Sequence, residues 1–264
     1  MLIDVHTHLF PPQIAEKALG MLAGRVGLKP AYFGSVDAFL PFLQKEGVEK
    51  AVVLSIATNP KQMVHVNDFA IQLLQVPQLI PFGSVHPDSD NWEAELERLC
   101  EAGIKGIKLH PDEQKFYVEE DRMVPIYKKI FSLGLALSFH AGYDIGLKHP
   151  VHCTPKGVAK RMDLFEGQPV IFAHMGGYDY WEDVKQYMAG HAIYIDTSFS
   201  VDQMPLQTAF ELIQQHGADR VLFGSDAPWG KASVVKKQLE SMPLTIEEKN
   251  KIFWDNANGL FLDK

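Results

Sequence analysis

The chain has 264 residues, 46% hydrophobic and 22% charged, and 25 lysines and arginines against 33 aspartates and glutamates leave a net charge of −8. These proportions exclude a disordered chain, a fibrous repeat and a disulfide scaffold, and an acidic balance with no basic stripe argues against a nucleic-acid partner. The longest apolar runs, such as residues 51–57, fall far short of the ~18 residues of a membrane span. Only two cysteines occur, Cys100 and Cys153, and Met1 leads directly into Leu-Ile-Asp-Val-His, so the expected setting is a reducing cytoplasm. Histidine, by contrast, occurs 11 times.

The first apolar run, 2–8, ends in His6-Thr7-His8. A stretch with glycine, proline and aromatic residues, 20–34, comes next and reads as irregular. Further short, β-branched runs fall at 51–56, 80–85, 106–110, 136–140, 170–174, 193–197 and 221–226. Most are continuously hydrophobic, the pattern of strands buried on both faces in a parallel sheet. Between them the spacing predicts helices over 92–102 with Gly103 as C-cap, over 123–133 before Gly134, and over 205–216 before Gly217. Residues 143–156 read as a second irregular stretch, and 245–262 as a terminal helix. Strand–helix units repeated about eight times predict an α/β fold, a (β/α)8 TIM barrel of parallel strands forming a single domain over 1–264. An open doubly wound sheet is the alternative, but no Gly-x-Gly-x-x-Gly succeeds the first run.

Four histidines end a run: His8, His110, His140 and His174. His6 precedes His8 by two positions and faces the same side of its strand. Asp226 ends the eighth run. In a barrel these groups converge on the C-terminal mouth, where active sites lie. Neutral imidazole and carboxylate are ligands for zinc and similar divalent ions. His6 and His8, with His140 from the fifth run and Asp226 from the eighth, complete a site that leaves one position open for water. Asp226 then acts as general base and His174 donates a hydrogen bond to a developing oxyanion. Lys108 and His110 share a facing toward the mouth and are candidates for substrate contact or a second metal. Asp4 shares the facing of His6 and His8, and is weighed evenly, like Asp196, between orienting a ligand and ordinary hydrogen bonding. His65, His86, His191 and His216 are read as structural, and His149 and His152 as loop residues. Phe10, Phe33, Tyr143, Tyr178, Tyr180, Trp181, Phe199 and Trp229 are candidates for substrate walls, two or three of them touching substrate.

The segments Ile3-Asp-Val-His-Thr-His8, Gly106-Ile-Lys-Leu-His-Pro111, Ser138-Phe-His-Ala-Gly142, Ile171-Phe-Ala-His-Met-Gly-Gly177 and Leu222-Phe-Gly-Ser-Asp-Ala-Pro228 resemble the amidohydrolase superfamily. The resemblance is strongest to amidohydrolase family 2, the branch related to aminocarboxymuconate-semialdehyde decarboxylase. It implies a distorted TIM barrel holding one divalent ion, usually zinc, on His6, His8, His140 and Asp226, with His174 polarising the substrate or assisting proton transfer. It also implies a small-molecule substrate and, at family level, a homodimer. Binuclear relatives bridge two ions with a carboxylated lysine or a glutamate on strand four. Lys108 lies one layer deeper than such a bridge, which favours one metal; a second, on His110 or His174, stays open. The leading reading is a metal-dependent hydrolase of a small amide, lactam or lactone. The alternative, served by the same ligands, is a metal-dependent non-oxidative decarboxylase of a small carboxylic acid. A departing carboxylate calls for a cation, and of five arginines only Arg25, and less clearly Arg161, lie toward the mouth; that tips the balance to hydrolysis. A Schiff-base enzyme using Lys108 and a non-catalytic ligand binder are further readings.

Overall fold

A computed structural model describes residues 1–148 and 150–263, so His149 lies outside the described residues. All eight expected strands form: β1 (Ile3–Thr7), β2 (Lys50–Leu54), β3 (Leu79–Phe82), β4 (Gly106–Leu109), β5 (Ala136–Phe139), β6 (Val170–Phe172), β7 (Tyr194–Asp196) and β8 (Val221–Leu222). They pair in parallel as β1-β2-β3 and β4-β5-β6-β7-β8. Backbone bonds join the two sets. Gly83 N donates to Gly106 O at 2.9 Å and Lys108 N to Gly83 O at 2.8 Å. On the other side Val5 N donates to Phe223 O and His8 N to Ala227 O, both at 2.8 Å. The sheet is thereby closed into a TIM barrel with no free edge.

Closure explains the unbroken hydrophobicity of the strands. Val52, Leu54, Ile80, Phe82, Ala136, Ile171 and Leu222 point inward and meet Ala257 and Phe261 of the terminal helix, which plugs the barrel floor. The alternate residues, among them Val53, Ile107, Leu137, Phe172 and Ile195, pack outward with Leu96, Leu99, Ile130 and Leu212 of the surrounding helices. Gly106 must be glycine here, because a Cβ would lie 2.4 Å from the Phe82 ring that crosses the floor.

β1 departs from simple alternation. Asp4 pairs with Ala51 but Thr7 pairs with Val53, so three steps on β1 match two on β2. This bulge shifts the facing within the strand. Ile3 and Val5 join the inner apolar cluster, whereas His6 and His8 still reach the mouth. Asp4 therefore does not share their facing, as strict alternation requires.

The expected helices form as Trp92–Ala102, Val124–Ser132 and Leu206–His216, the first closed by Gly103 in the left-handed conformation. The terminal segment is helical from Ile246, with a Thr245–Glu248 capping box and one wide π turn at Lys251–Asp255. The expected irregular stretch 20–34 is corrected in its first half. Helix Pro12–Val26 runs through Gly20 and Gly24, which face open space, while Ala15 and Leu19 bury its inner side. Packing of that side outweighs the weak helix propensity of the two glycines. Both cysteines are free, and among the described residues no helix is long and apolar enough to cross a membrane.

His216 gives the fold an acid-sensitive point. It is buried, its Nε2 donates to the Ile193 carbonyl at 2.9 Å, and its Nδ1 has no partner. Burial lowers its pKa from 6.5 to about 4. The unfolded chain then takes up a proton before the folded chain does, so this group costs nothing above pH ~6.5 and destabilises progressively as pH falls toward ~4, by about 3 kcal/mol in total. His216→Gln, which can keep the bond to Ile193, is expected to flatten the fall of Tm with pH across that window; an unchanged slope in the variant would refute the assignment.

Candidate metal centre

His6 and His8 leave β1 as a pair whose ring centroids lie 5.2 Å apart. His8 Nδ1 lies 3.1 Å from the Leu54 carbonyl, which can only accept, so Nδ1 carries the hydrogen. In the neutral ring the Nε2 lone pair then faces Asp226 Oδ1 at 3.1 Å. His6 Nδ1 lies 2.9 Å from Asp196 Oδ2, an arrangement that likewise leaves Nε2 as the free donor atom. That Nε2 reaches the same Asp226 oxygen at 3.4 Å. Three electron-rich atoms thus crowd one point, and a shared cation is what relieves them. Separations of 3.1–3.4 Å match donors bonded to one ion at ~2.0–2.2 Å. Two imidazole nitrogens and a carboxylate oxygen fit a divalent zinc- or manganese-type ion.

Asp226 is held by the backbone. Its N donates to His6 O at 2.9 Å, and it adopts φ 62, in the left-handed region. Burial by itself would raise its pKa, but His8 and His6 outweigh that and hold the carboxylate below its ordinary value. Asp4 acts behind this turn. It accepts from Ser225 N at 3.0 Å and His6 N at 3.1 Å, tying β1 to the Gly-Ser-Asp turn, and burial raises it to about 7.

Asp196 organises the other side. Besides His6, it accepts from His174 N at 3.1 Å, Ser198 N at 3.0 Å and the Ser198 hydroxyl. Burial would raise its pKa, but His6, His174 and these bonds drive it far below the usual range. His174 Nδ1 donates to the Ser198 carbonyl at 3.0 Å, which leaves Nε2 as an acceptor, 3.1 Å from His140 Nδ1. Burial lowers the pKa of His174 and, more strongly, of His140; it takes His6 to about 4. The rings are therefore neutral near pH 7, the form in which imidazole binds a metal.

His140 is not grouped with His6, His8 and Asp226. Its ring stacks on His110 at 4.2 Å, and its buried Nε2 has no hydrogen-bond partner. One donor atom each from His110, His140 and Asp144 also lie within 4.8 Å of one another. However, His110 accepts from Glu113 N at 3.4 Å through Nδ1 and faces Asp144 at 3.2 Å through Nε2, so both its nitrogens are engaged. Lys108 is 1% exposed and its Nζ has no hydrogen-bond partner among the described residues; burial lowers its pKa to about 8 against the opposing charges of Asp196 and Asp226. Arg25 pairs with Glu113 at 2.6 Å, and Arg161 is anchored on the Glu119 carbonyl and Asp121. Tyr178 packs with Trp181 and Phe199 at 5.5 and 5.6 Å, whereas Phe33 points away at 73% exposure.

Sequence reasoning passed over Ser198, Asp144, Gln114 and Tyr32. Ser198 comes two positions after Asp196, a spacing that mirrors His6 and His8 and was readable. Gln114 bonds His110 N, Ala57 O and Val85 O at 2.9 Å, and the Tyr32 hydroxyl donates to His8 O at 2.7 Å; neither has a local signal.

The Amidohydrolase family model matches residues 3–261. The chain belongs to this family. It is 24% identical over 163 residues to the gamma-resorcylate decarboxylase of Polaromonas sp. strain JS666, an alignment covering 55% of this chain and 50% of that protein, so the match spans about half the relative's length. The structure of a dihydroxybenzoic acid decarboxylase from Polaromonas sp. JS666, with bound manganese and 2-nitroresorcinol, superposes with TM-score 0.73 at 18% identity over 98% of this chain and 96% of that one. A 5-carboxyvanillate decarboxylase from Sphingomonas paucimobilis gives 0.71 at 14% identity over 98% of both chains. At these identities the structural likeness is one of fold.

These relatives correct the hydrolase reading. The three similar proteins named above are decarboxylases, in line with the alternative. The arginine count was a weak guide, because Lys108, already a candidate for substrate contact, is a further cation buried within β4.

Asp196→Asn removes the charge that fixes His6 Nδ1–H. It is expected to weaken divalent-ion binding about 10–100-fold in a chelator competition, as loss of such a partner typically does. Unchanged affinity would show that Asp196 does not orient the donor trio.

Proposed function

We propose that the protein is a metal-dependent, non-oxidative decarboxylase of a small hydroxylated aromatic acid. The observation that carries this reading is the donor trio of His6, His8 and Asp226 at the barrel mouth of a chain whose named relatives are decarboxylases. Manganese, as in the Polaromonas enzyme, and zinc both suit these nitrogen and oxygen donors, with His140 as the added ligand. When bound, the ion supplies positive charge that stabilises a deprotonated ring hydroxyl.

The chain's own groups do the rest. His174, whose Nε2 accepts from His140 Nδ1, fixes the His140 tautomer and leaves the His140 Nε2 lone pair free. Asp226, an ionised carboxylate at the mouth beside His6 and His8, takes the proton of the substrate hydroxyl and passes it to the ring carbon that bears the carboxylate. The electron pair of the breaking C–C bond stays on that carbon, the proton completes a C–H bond, and CO2 leaves. Tyr178 and Phe199 form an aromatic wall suited to a planar ring.

The test is turnover of 2,6-dihydroxybenzoate and 5-carboxyvanillate by protein loaded with manganese or zinc, monitored as CO2 release. Release is expected, abolished by a chelator and restored by the ion, and Asp226→Asn is expected to lower kcat about 10²–10⁴-fold. Turnover that survives chelation, or opening of lactones with no loss of aromatic acid, would overturn the reading.

A further inference from the structure

Lys108 occupies the inward-facing position on β4 just above Gly106 and the Phe82 ring. It ranks among the largest fully buried side chains, and its Nζ has no hydrogen-bond partner among the described residues. A buried ammonium without an acceptor is costly, so the fold retains it for a partner that it does not itself supply. The nearby carboxylates are committed. Asp196 accepts from His6, His174 N and Ser198, and Asp226 faces His8 and His6. On β5 the register partner of Lys108 is Ser138, also buried, so the two residues share one face of the sheet.

We propose that Lys108 is the counter-ion of the substrate's carboxylate, so the substrate is an aromatic acid bound with its carboxylate toward the barrel floor and its ring toward the mouth. The orientation puts the hydroxyl next to the carboxylate at the level of His6, His8 and Asp226. This inference rests on the decarboxylase reading for the chemical step after binding, but not for binding itself. Because the carboxylate leaves as neutral CO2, its contact with Lys108 is strongest in the bound substrate; the residue serves affinity more than the chemical step.

The experiment is calorimetric titration of the metal-loaded protein with 2,6-dihydroxybenzoate and with resorcinol, which lacks the carboxylate, before and after Lys108→Met. Loss of a hydrogen bond to a charged group is expected to weaken the acid about 10–100-fold in the variant, while resorcinol binds both proteins equally. Thermal melting should show the variant at least as stable as the parent, and Lys108→Gln provides a second, polar replacement. Equal affinity of parent and variants for the acid, equal loss for acid and resorcinol, or no binding of the acid to the parent would each overturn the proposal. If the acid binds through Lys108 but no aromatic acid is turned over, the anchor stands and the decarboxylase reading falls. If turnover continues in the variants at unchanged KM, the anchor falls and that reading stands.

Discussion

One buried carboxylate sets the terms for the rest of the site. Asp196 is 0% exposed at the end of β7, and a charge in that position must be met on all sides by donors. It collects them from three strand ends: the His6 ring from β1, the His174 amide after β6, and the amide and hydroxyl of Ser198 after β7. Because a carboxylate only accepts, it dictates that His6 carries its hydrogen on Nδ1 and turns Nε2 toward Asp226. The carbonyl of Leu54 does the same for His8. The donor trio is thus a consequence of acceptors placed behind it.

The bonds that close the barrel also aim these groups. Asp226 N donates to His6 O and His8 N donates to Ala227 O, so the seam between β8 and β1 is the place where three of the expected ligands meet. His174 and Asp226 adopt φ 61 and 62, a conformation that costs a non-glycine residue about 1–3 kcal/mol. The seam, the Asp4–Ser225 bond and the Asp196 bond to His174 N hold them there. Such strain is tolerated where the surroundings over-determine the backbone, and here the surroundings are the barrel closure itself.

The sequence made the barrel legible because doubly buried strands leave unbroken hydrophobic runs, and glycines such as Gly103 and Gly134 punctuate the helices between them. Strand-end histidines were legible for a similar reason: a polar residue closing an apolar run marks the mouth. Facing was less so. The bulge in β1 moves Asp4 out of line with His6 and His8, and a bulge leaves no periodic trace. Helix Pro12–Val26 was obscured by glycines whose cost is offset by packing at Ala15 and Leu19, a tertiary effect. The stacking of His140 on His110, and the engagement of both His110 nitrogens with Glu113 and Asp144, depend on loops whose paths no local pattern specifies.

Reaction class was the hardest to read, because the ligands do not encode it. Two imidazoles and a carboxylate around a divalent ion serve hydrolysis and decarboxylation alike. The two differ in where charge goes. Hydrolysis builds negative charge on a carbonyl oxygen and calls for a donor facing it; decarboxylation strips charge from a carboxylate and calls for a cation to hold that group beforehand. His174 has its hydrogen committed to the Ser198 carbonyl and its Nε2 accepts from His140, so it has no hydrogen to give where the hydrolytic reading needs a donor. Lys108 is a cation without a protein partner in the same site. A count of arginines over the whole chain does not register one lysine inside a strand, whose burial raises the cost of leaving its charge unpaired.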